Sequence, residues 1–367
     1  MKICFLVPSV YGMRGDTRAV LNLAAALASR HEVGIISVRR VRENPFFPVD
    51  RRLSVRFLID ARPGVRHILP GGQMRIEMAL WRALRGMRAD LLVTTRASLS
   101  VQAARHVPRE TLRVAREWSR PPVPDPVRRF YPKLDAVVTS TETARDDFDR
   151  LFQGSGGPRL EVVPDALTQG PWPRSRMDNR IVSAGGRWLA GKAFDQLVRA
   201  FAIVADKRPD WRLRLYGGGP EEKRLRALVG SLNLHNNVYF MGTTPDLPGE
   251  FAKASLVAVT SLAESPGMTV IEALGCGVPV VGFEGARGAG EFVTPGHDSV
   301  LVPRGGDEVE AFACAMLGLI DDERRRMVLS AGARKSAARY AAPVVAARWE
   351  ELAEDLRGRG AKAAGAR

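Results

Sequence analysis

Ala263-Glu264-Ser265-Pro266-Gly267-Met268-Thr269-Val270-Ile271-Glu272-Ala273-Leu274-Gly275-Cys276-Gly277-Val278-Pro279-Val280-Val281 decides how the rest of the chain is read. It sets two glutamates eight positions apart around a loop in which Gly267 carries no side chain. The loop leads into a short helix, and Gly277-Val278-Pro279 leads into an apolar strand. A helix start turns free backbone N–H groups and partial positive charge toward a ligand, which suits a diphosphate. The flanking acids suit hydroxyls on the sugars at either end of that diphosphate, so the stretch reads as a nucleotide-sugar pocket. An ordinary surface helix with a glutamate at each end reads the same way.

Outward from this stretch, strand-like apolar runs alternate with helical ones. In the second half they are Ile181–Ala184, Leu213–Tyr216, Val238–Phe240, Leu256–Val259, Val278–Val281 and Val300–Val302, with helical runs at Lys192–Asp206, Pro220–Ser231 and a single turn near Pro248–Lys253. In the first half they are Ile3–Val7, Val33–Val38, Val55–Ile59, Leu91–Thr94, Arg113–Ala115 and Ala136–Thr139. Thr17–Ser29 carries a buried stripe of Leu21, Leu23, Ala24 and Leu27. Such alternation predicts doubly wound parallel sheets with helices on both faces, an α/β fold. The proline-interrupted segment Gln169–Asn179 marks the join, so residues 1–170 and 179–341 are expected as two domains. The helical run Pro343–Leu356 has Val344, Val345, Trp349 and Leu352 as its apolar positions, and the basic tail Arg357–Arg367 is expected to fray.

Glycines recur at the ends of these strands, where ligands of open parallel sheets collect. Tyr11-Gly12-Met13-Arg14-Gly15-Asp16 links the first strand to the first helix, without the spacing of a dinucleotide fingerprint. Gly186 to Lys192 matches G-x-x-x-x-G-K, but Ala193 stands where a hydroxyl would hold magnesium. What remains is Arg187 and Lys192, two cations able to neutralise a diphosphate without metal, each contact being worth about 1.5–3 kcal/mol. A solvated cation pair at a helix start is the plainer reading. Gly217-Gly218-Gly219-Pro220 and Gly242-Thr243 repeat the strand-end arrangement.

Several function classes fall away. The three cysteines Cys4, Cys276 and Cys314 are scattered among apolar residues, which argues against a disulfide framework or a zinc site and for a reducing cytoplasm. The five histidines lack metal-ligand spacing, and Asp147-Phe148-Asp149 follows a cap-like Thr141-Glu142 and reads as a solvated helix face. No cofactor and no metal are expected. The opening Met1–Pro8 is too quickly interrupted for a signal peptide, and no apolar run approaches the ~18 residues of a spanning helix.

The net charge of +15 is uneven: residues 1–178 carry 30 Lys/Arg against 18 Asp/Glu, whereas residues 179–367 carry 25 against 22. That points to a polyanionic partner for the first half. Arg62–Arg88 holds six arginines against Glu77, with Ile76, Leu80, Leu84 and Met87 on one helical face and Trp81 beside them. This fits contact with an anionic membrane, and equally a core helix with a basic outer face.

Taken together, these motifs resemble a retaining GT-B glycosyltransferase of family 4, with members that glycosylate teichoic-acid-like or capsular polymers among those it resembles. The likeness is strong over Ile181–Pro303, moderate over Tyr11–Val38 and thin over Arg39–Leu134. It implies two facing Rossmann-like domains, with the final helix, residues 343–356, crossing back to the first. Glu264 and Glu272 look like the family's E-x₇-E motif, Arg187 and Lys192 like its phosphate-binding pair, and Gly217–Pro220 like its G-x-G-P turn. The resemblance implies that Glu264 holds donor-sugar hydroxyls, Glu272 the ribose, and Gly15 lets the other domain close over the phosphates. Gly186, Gly217, Gly219, Gly242, Thr243 and the N–H groups of Gly267, Met268 and Thr269 complete the donor site. The chain departs from the family at Arg14-Gly15, at Lys192-Ala193, and at Glu117-Trp118 on the acceptor side, where relatives show Gly-Gly, Lys-Gly and Glu-His.

The expected function is therefore metal-independent transfer of a hexose from a nucleotide sugar, UDP-linked, to a glycan, lipid-linked or polyol-phosphate acceptor at the inner face of the cell membrane. No nucleic-acid partner is expected. The alternatives are an inactive module that binds nucleic acid or membrane, and a sugar-nucleotide epimerase on the same fold.

Overall fold

The computed structural model describes residues 1–65, 72–121, 123–154, 156–262, 267–287 and 289–365. The chain divides into two compact units, Met1–Gln169 with Ala341–Arg367, and Gly170–Tyr340.

The first unit runs β1 (Lys2–Val7), α1 (Gly15–Leu27), β2 (Glu32–Arg40), β3 (Ser54–Asp60), α2 (Gly72–Arg85), β4 (Leu91–Thr94), α3 (Ala97–His106), β5 (Leu112–Glu117), α4 (Pro124–Phe130), β6 (Ala136–Thr139), α5 (Glu142–Phe152) and β7 (Arg159–Val162). The strands pair in parallel in the order β3-β2-β1-β4-β5-β6-β7. A strand covered on both faces has no reason to alternate polar and apolar residues, and β1 is buried throughout after Lys2. Its pleat sends Ile3, Phe5 and Val7 into one core and Cys4 and Leu6 into another.

The second unit runs β8 (Ile181–Arg187), α6 (Phe194–Lys207), β9 (Arg212–Gly218), α7 (Glu222–Ser231), β10 (Val238–Gly242), α8 (Leu247–Phe251), β11 (Leu256–Val259), α9 (Met268–Gly275), β12 (Val280–Phe283), β13 (Ser299–Val302), α10 (Glu308–Ile320) and α11 (Glu323–Ala337). Its strands are again parallel, in the order β10-β9-β8-β11-β12-β13. Helices α6 and α10 share one apolar cluster with Val182, Ala184, Leu213 and Leu215. Asp307 and Asp322 cap α10 and α11 by accepting backbone N–H bonds at 2.8–3.1 Å.

The chain then returns to the first unit as α12 (Ala342–Gly365). Ala342, Val345, Ala346, Trp349, Leu352, Ala353 and Leu356 join the core that α1 covers. Glu350 holds His31 at 2.9 Å and Arg30 at 3.0 Å, Asp90 holds Arg357 at 3.1 Å, and Asp355 pairs with Arg159.

Four readings change. The helix extends on both sides of the expected run Pro343–Leu356, from Ala342 to Gly365. Helix α6 begins at Phe194 instead of Lys192, since Ala193 takes a left-handed conformation with φ 48°. Asp147 is buried and accepts a 2.6 Å bond from Arg150, so only part of that acidic helix face is solvated. Cys314 is exposed, whereas Cys4 and Cys276 are buried; all three are free thiols.

Candidate active site

Both sheets reverse their order of growth once, between β1 and β4 and between β8 and β11. At such a reversal the loops leaving the two strands diverge to opposite faces and open a crevice at the strand C-termini. The loops after β8 and β11 carry the residues singled out for phosphate binding.

Trp188 anchors the first of these loops. It is 1% exposed and meets the Phe240 ring edge-on at 5.5 Å, while Arg187 beside it points outward and is exposed. The glycines at the end of β9 let this loop through. Gly186 pairs with Gly217 across the ladder, and a Cβ on Gly217 would overlap the Gly186 carbonyl oxygen. A Cβ on Gly219 would overlap the Trp188 backbone. The Trp188 N–H donates to the Gly218 carbonyl at 3.0 Å, and its own carbonyl accepts from Glu221 at 3.2 Å. Gly217 and Gly219 therefore hold the β8 loop in place, a tighter requirement than open space for a ligand. Gly242 is different: its φ is 74° and nothing lies within 4 Å of where a Cβ would be, with Thr243 following it.

The β8 and β11 loops are bonded to each other. The Leu262 N–H donates to the Gly191 carbonyl at 3.1 Å, and the Thr260 hydroxyl donates to the Lys192 carbonyl at 3.0 Å. Lys192 is half-buried, fixed in a short 3-10 turn, Ala190–Lys192, just ahead of α6. Beyond the β11 loop, Gly267 caps α9 in the left-handed region with φ 73°, and a Cβ there would collide with the Phe292 ring. Val270 and Ile271 close the first turn on the Gly267 carbonyl at 3.0 and 3.1 Å. The N–H groups of Gly267, Met268 and Thr269 precede that turn and have no intrahelical acceptor. The Thr269 hydroxyl donates to the Gly185 carbonyl at 3.4 Å, which ties the helix start back to β8. Glu272, one turn on, is 1% exposed. Glu264 lies outside the described residues.

The first unit builds its own pocket at the β1–β4 reversal, a cavity of about 100 Å³ lined by Ser9, Gly12, Arg14, Asp16, Thr95 and Arg96 among others. Gly15 opens α1 here, and Arg14 and Arg96 occupy the cap positions of α1 and α3. Both guanidinium groups face Asp16, at 2.9 and 3.6 Å. Arg96 escaped the sequence reading; its signal was a cation directly after the strand end Thr94-Thr95.

Deeper along β5, Glu117 is buried and accepts hydrogen bonds from the Tyr131 hydroxyl at 2.5 Å and from Ser100 at 3.3 Å. Burial pushes its carboxyl up to about 7, against the lowering effect of those two donors. Trp118 is held in place: its indole N–H donates to Asp165 at 2.9 Å, and Asp165 also accepts from Arg116 at 2.7 Å in a fully buried ion pair.

Among the described residues no cluster of three His, Cys, Asp or Glu side chains is arranged to hold a metal ion, and no helix is long and apolar enough to cross a membrane.

Two parallel α/β units with loops joined at the second reversal define the class of the molecule, a GT-B α/β fold. Residues 172–336, nearly the whole of the second unit, match the family described as glycosyl transferases group 1. The chain is 32% identical to an exopolysaccharide phosphotransferase of Streptomyces coelicolor over 97% of its own length and 41% of that protein. It is 31% identical to the poly(glycerol-phosphate) alpha-glucosyltransferase of Bacillus subtilis over 59% of its length and 32% of the relative. Thus it spans less than half of either protein. Among solved structures, a mutant of S. aureus TarM in complex with fondaparinux, alpha-GlcNAc-glycerol and UDP superposes with a TM-score of 0.78 at 13% identity, covering 96% of this chain and 100% of that one, which shows the shared fold.

Proposed function

We propose that the protein is a retaining glycosyltransferase of family 4 that moves a hexose from a UDP-sugar to a cell-envelope acceptor, a polyol-phosphate polymer or lipid-linked glycan, at the cytoplasmic face of the membrane. The observation that carries this reading is the bonded pair of loops at the β8–β11 reversal. It brings Arg187, Lys192 and the amide-bearing start of α9 to the end of one sheet. Arg187 and Lys192 stabilise the charge that develops on the departing diphosphate, and the N–H groups of Gly267, Met268 and Thr269 add fixed donors whose orientation costs no reorganisation during reaction. Glu264 receives hydroxyls of the transferred sugar and Glu272 the ribose. The protein groups supply the countercharge, so the reaction proceeds in EDTA. The poly(glycerol-phosphate) relative and the UDP-bound solved structure support the donor and acceptor classes. A nucleic-acid module and an epimerase are not favoured, because the matched family and the named relatives are transferases.

The test is incubation with UDP-glucose, UDP-galactose and UDP-N-acetylglucosamine plus membrane extract, following UDP release and the anomeric form of the product. Absence of turnover with all three, or a product of inverted configuration, overturns the assignment.

The Streptomyces relative's name supports a second reading, transfer of a sugar phosphate. Glycosyl transfer breaks the bond between the anomeric carbon and the diphosphate and releases UDP. Sugar-phosphate transfer breaks the P–O–P bridge and releases UMP. Chromatography of the released nucleotide separates the two.

A further inference from the structure

Helix α2 has two apolar faces, and only one of them is used. Leu80 and Leu84 are buried, and Ile76 packs against the same cluster with Leu58 of β3 and Met87 after the helix. This is the face that the periodicity of the segment marks, and it is core, not interface. On the opposite side Met74, Met78 and Trp81 are 71%, 44% and 41% exposed. Their spacing of four and three residues stacks them into one ridge along the helix.

The ridge is ringed by cations. Arg85 lies over the Trp81 ring at 5.1 Å, with Arg82 and Arg88 also exposed. Among the described residues none of these three arginines has a carboxylate within ion-pair distance. Arg62, by contrast, is already held by Asp60 at 2.7 Å and by Glu43. The lone acid of the helix, Glu77, sits at its exposed flank and accepts from Gln73 at 3.3 Å.

An apolar ridge of large side chains facing water is unfavourable, and rimming it with arginine fits the headgroup layer of a bilayer. There the methionines reach the acyl boundary, the indole settles at the interface, and the guanidinium groups meet lipid phosphate. We propose that the Met74–Met78–Trp81 ridge of α2 seats this protein on a membrane surface that carries anionic lipid. The charge around the ridge is what commits it to that occupant over a neutral protein surface. The inference goes beyond the catalytic reading and does not depend on it.

The test is co-sedimentation of the full chain with vesicles of phosphatidylcholine alone or mixed with phosphatidylglycerol, with far-UV circular dichroism and Tm confirming that each variant is folded. Wild type pellets with the phosphatidylglycerol vesicles and not with the neutral ones. Met74→Ser/Met78→Ser/Trp81→Ser and Arg82→Glu/Arg85→Glu each weaken that binding about tenfold or more. Brominated lipid quenches a component of wild-type tryptophan emission that is missing in Trp81→Phe. Wild-type binding by the folded ridge variant overturns the proposal. So does equal binding to neutral vesicles, or a wild-type dimer that ignores vesicles and is split by the ridge substitutions. None of these readouts involves sugar transfer, so failure here and failure of the enzymatic reading are told apart.

Discussion

The two sheet reversals share a topology and use charge in opposite ways. At β1–β4, Arg14 and Arg96 converge on Asp16, and a little deeper Arg116 is bonded to Asp165, so the cations of the first unit's crevice are engaged by carboxylates of the same unit. At β8–β11, Arg187 stands exposed, with no carboxylate among the described residues within ion-pair distance, on a loop clamped by backbone hydrogen bonds. An anion arriving at the second crevice meets a cation on a fixed backbone, whereas at the first it must compete with an internal partner. On the proposed function, the basic excess of the first half is therefore a poor guide to where the reacting phosphates go.

Breaking the clamp should have the largest effect. Gly217→Ala drives a methyl into the Gly186 carbonyl at φ 139°, and a loss of about 4 kcal/mol or more is expected in urea unfolding. Arg187→Ala and Lys192→Ala should each lower kcat by about 100- to 1,000-fold with the fold intact, and Arg14→Ala by far less, measured as nucleotide release. Equal losses at Arg14 and Arg187 would erase the contrast between the two crevices.

Glu117 sharpens it through pH. Its folded carboxyl titrates at about 7 against an ordinary 4.5, so the folded chain keeps a proton that the unfolded chain gives up. That contribution is full below about pH 4.5 and is lost as the pH rises through 7, a span of about 3 kcal/mol. Stability of Glu117→Gln measured from pH 4.5 to 7.5 should lack this decline. The smallest effect is expected at Ala193→Gly, which relieves a left-handed alanine and should raise stability by about 1 kcal/mol, read as a higher urea midpoint.

Most of the fold was legible because parallel strands buried on both faces are uninterrupted apolar runs: β1, β4, β6 and β11 stand out in the sequence for that reason. Edge strand β7 did not, since Arg159-Leu160-Glu161-Val162 is half-buried throughout and carries charge at every other position. Helix α11 was missed because arginines interrupt its apolar stripe and one of them, Arg326, is buried, donating to the Leu319 and Ile320 carbonyls. In the candidate site, glycines and cations were visible as a pattern, but their division of labour was not. Gly217 and Gly219 read as ligand turns until the Gly186 carbonyl is seen to fill the space beside the first and the Trp188 backbone the space beside the second. Arg96 depends on a contact 80 positions away in the chain, which no local spacing encodes.

The return of α12 to the first unit fixes an order of events during synthesis. Residues 170–340 emerge from the ribosome as one contiguous stretch holding every strand of the second sheet, so that unit can finish folding while translation continues. The earlier-made unit must wait. Until Val345, Trp349 and Leu352 arrive, the helix that pairs with α1 is missing and an apolar flank of the earlier-made unit stays uncovered.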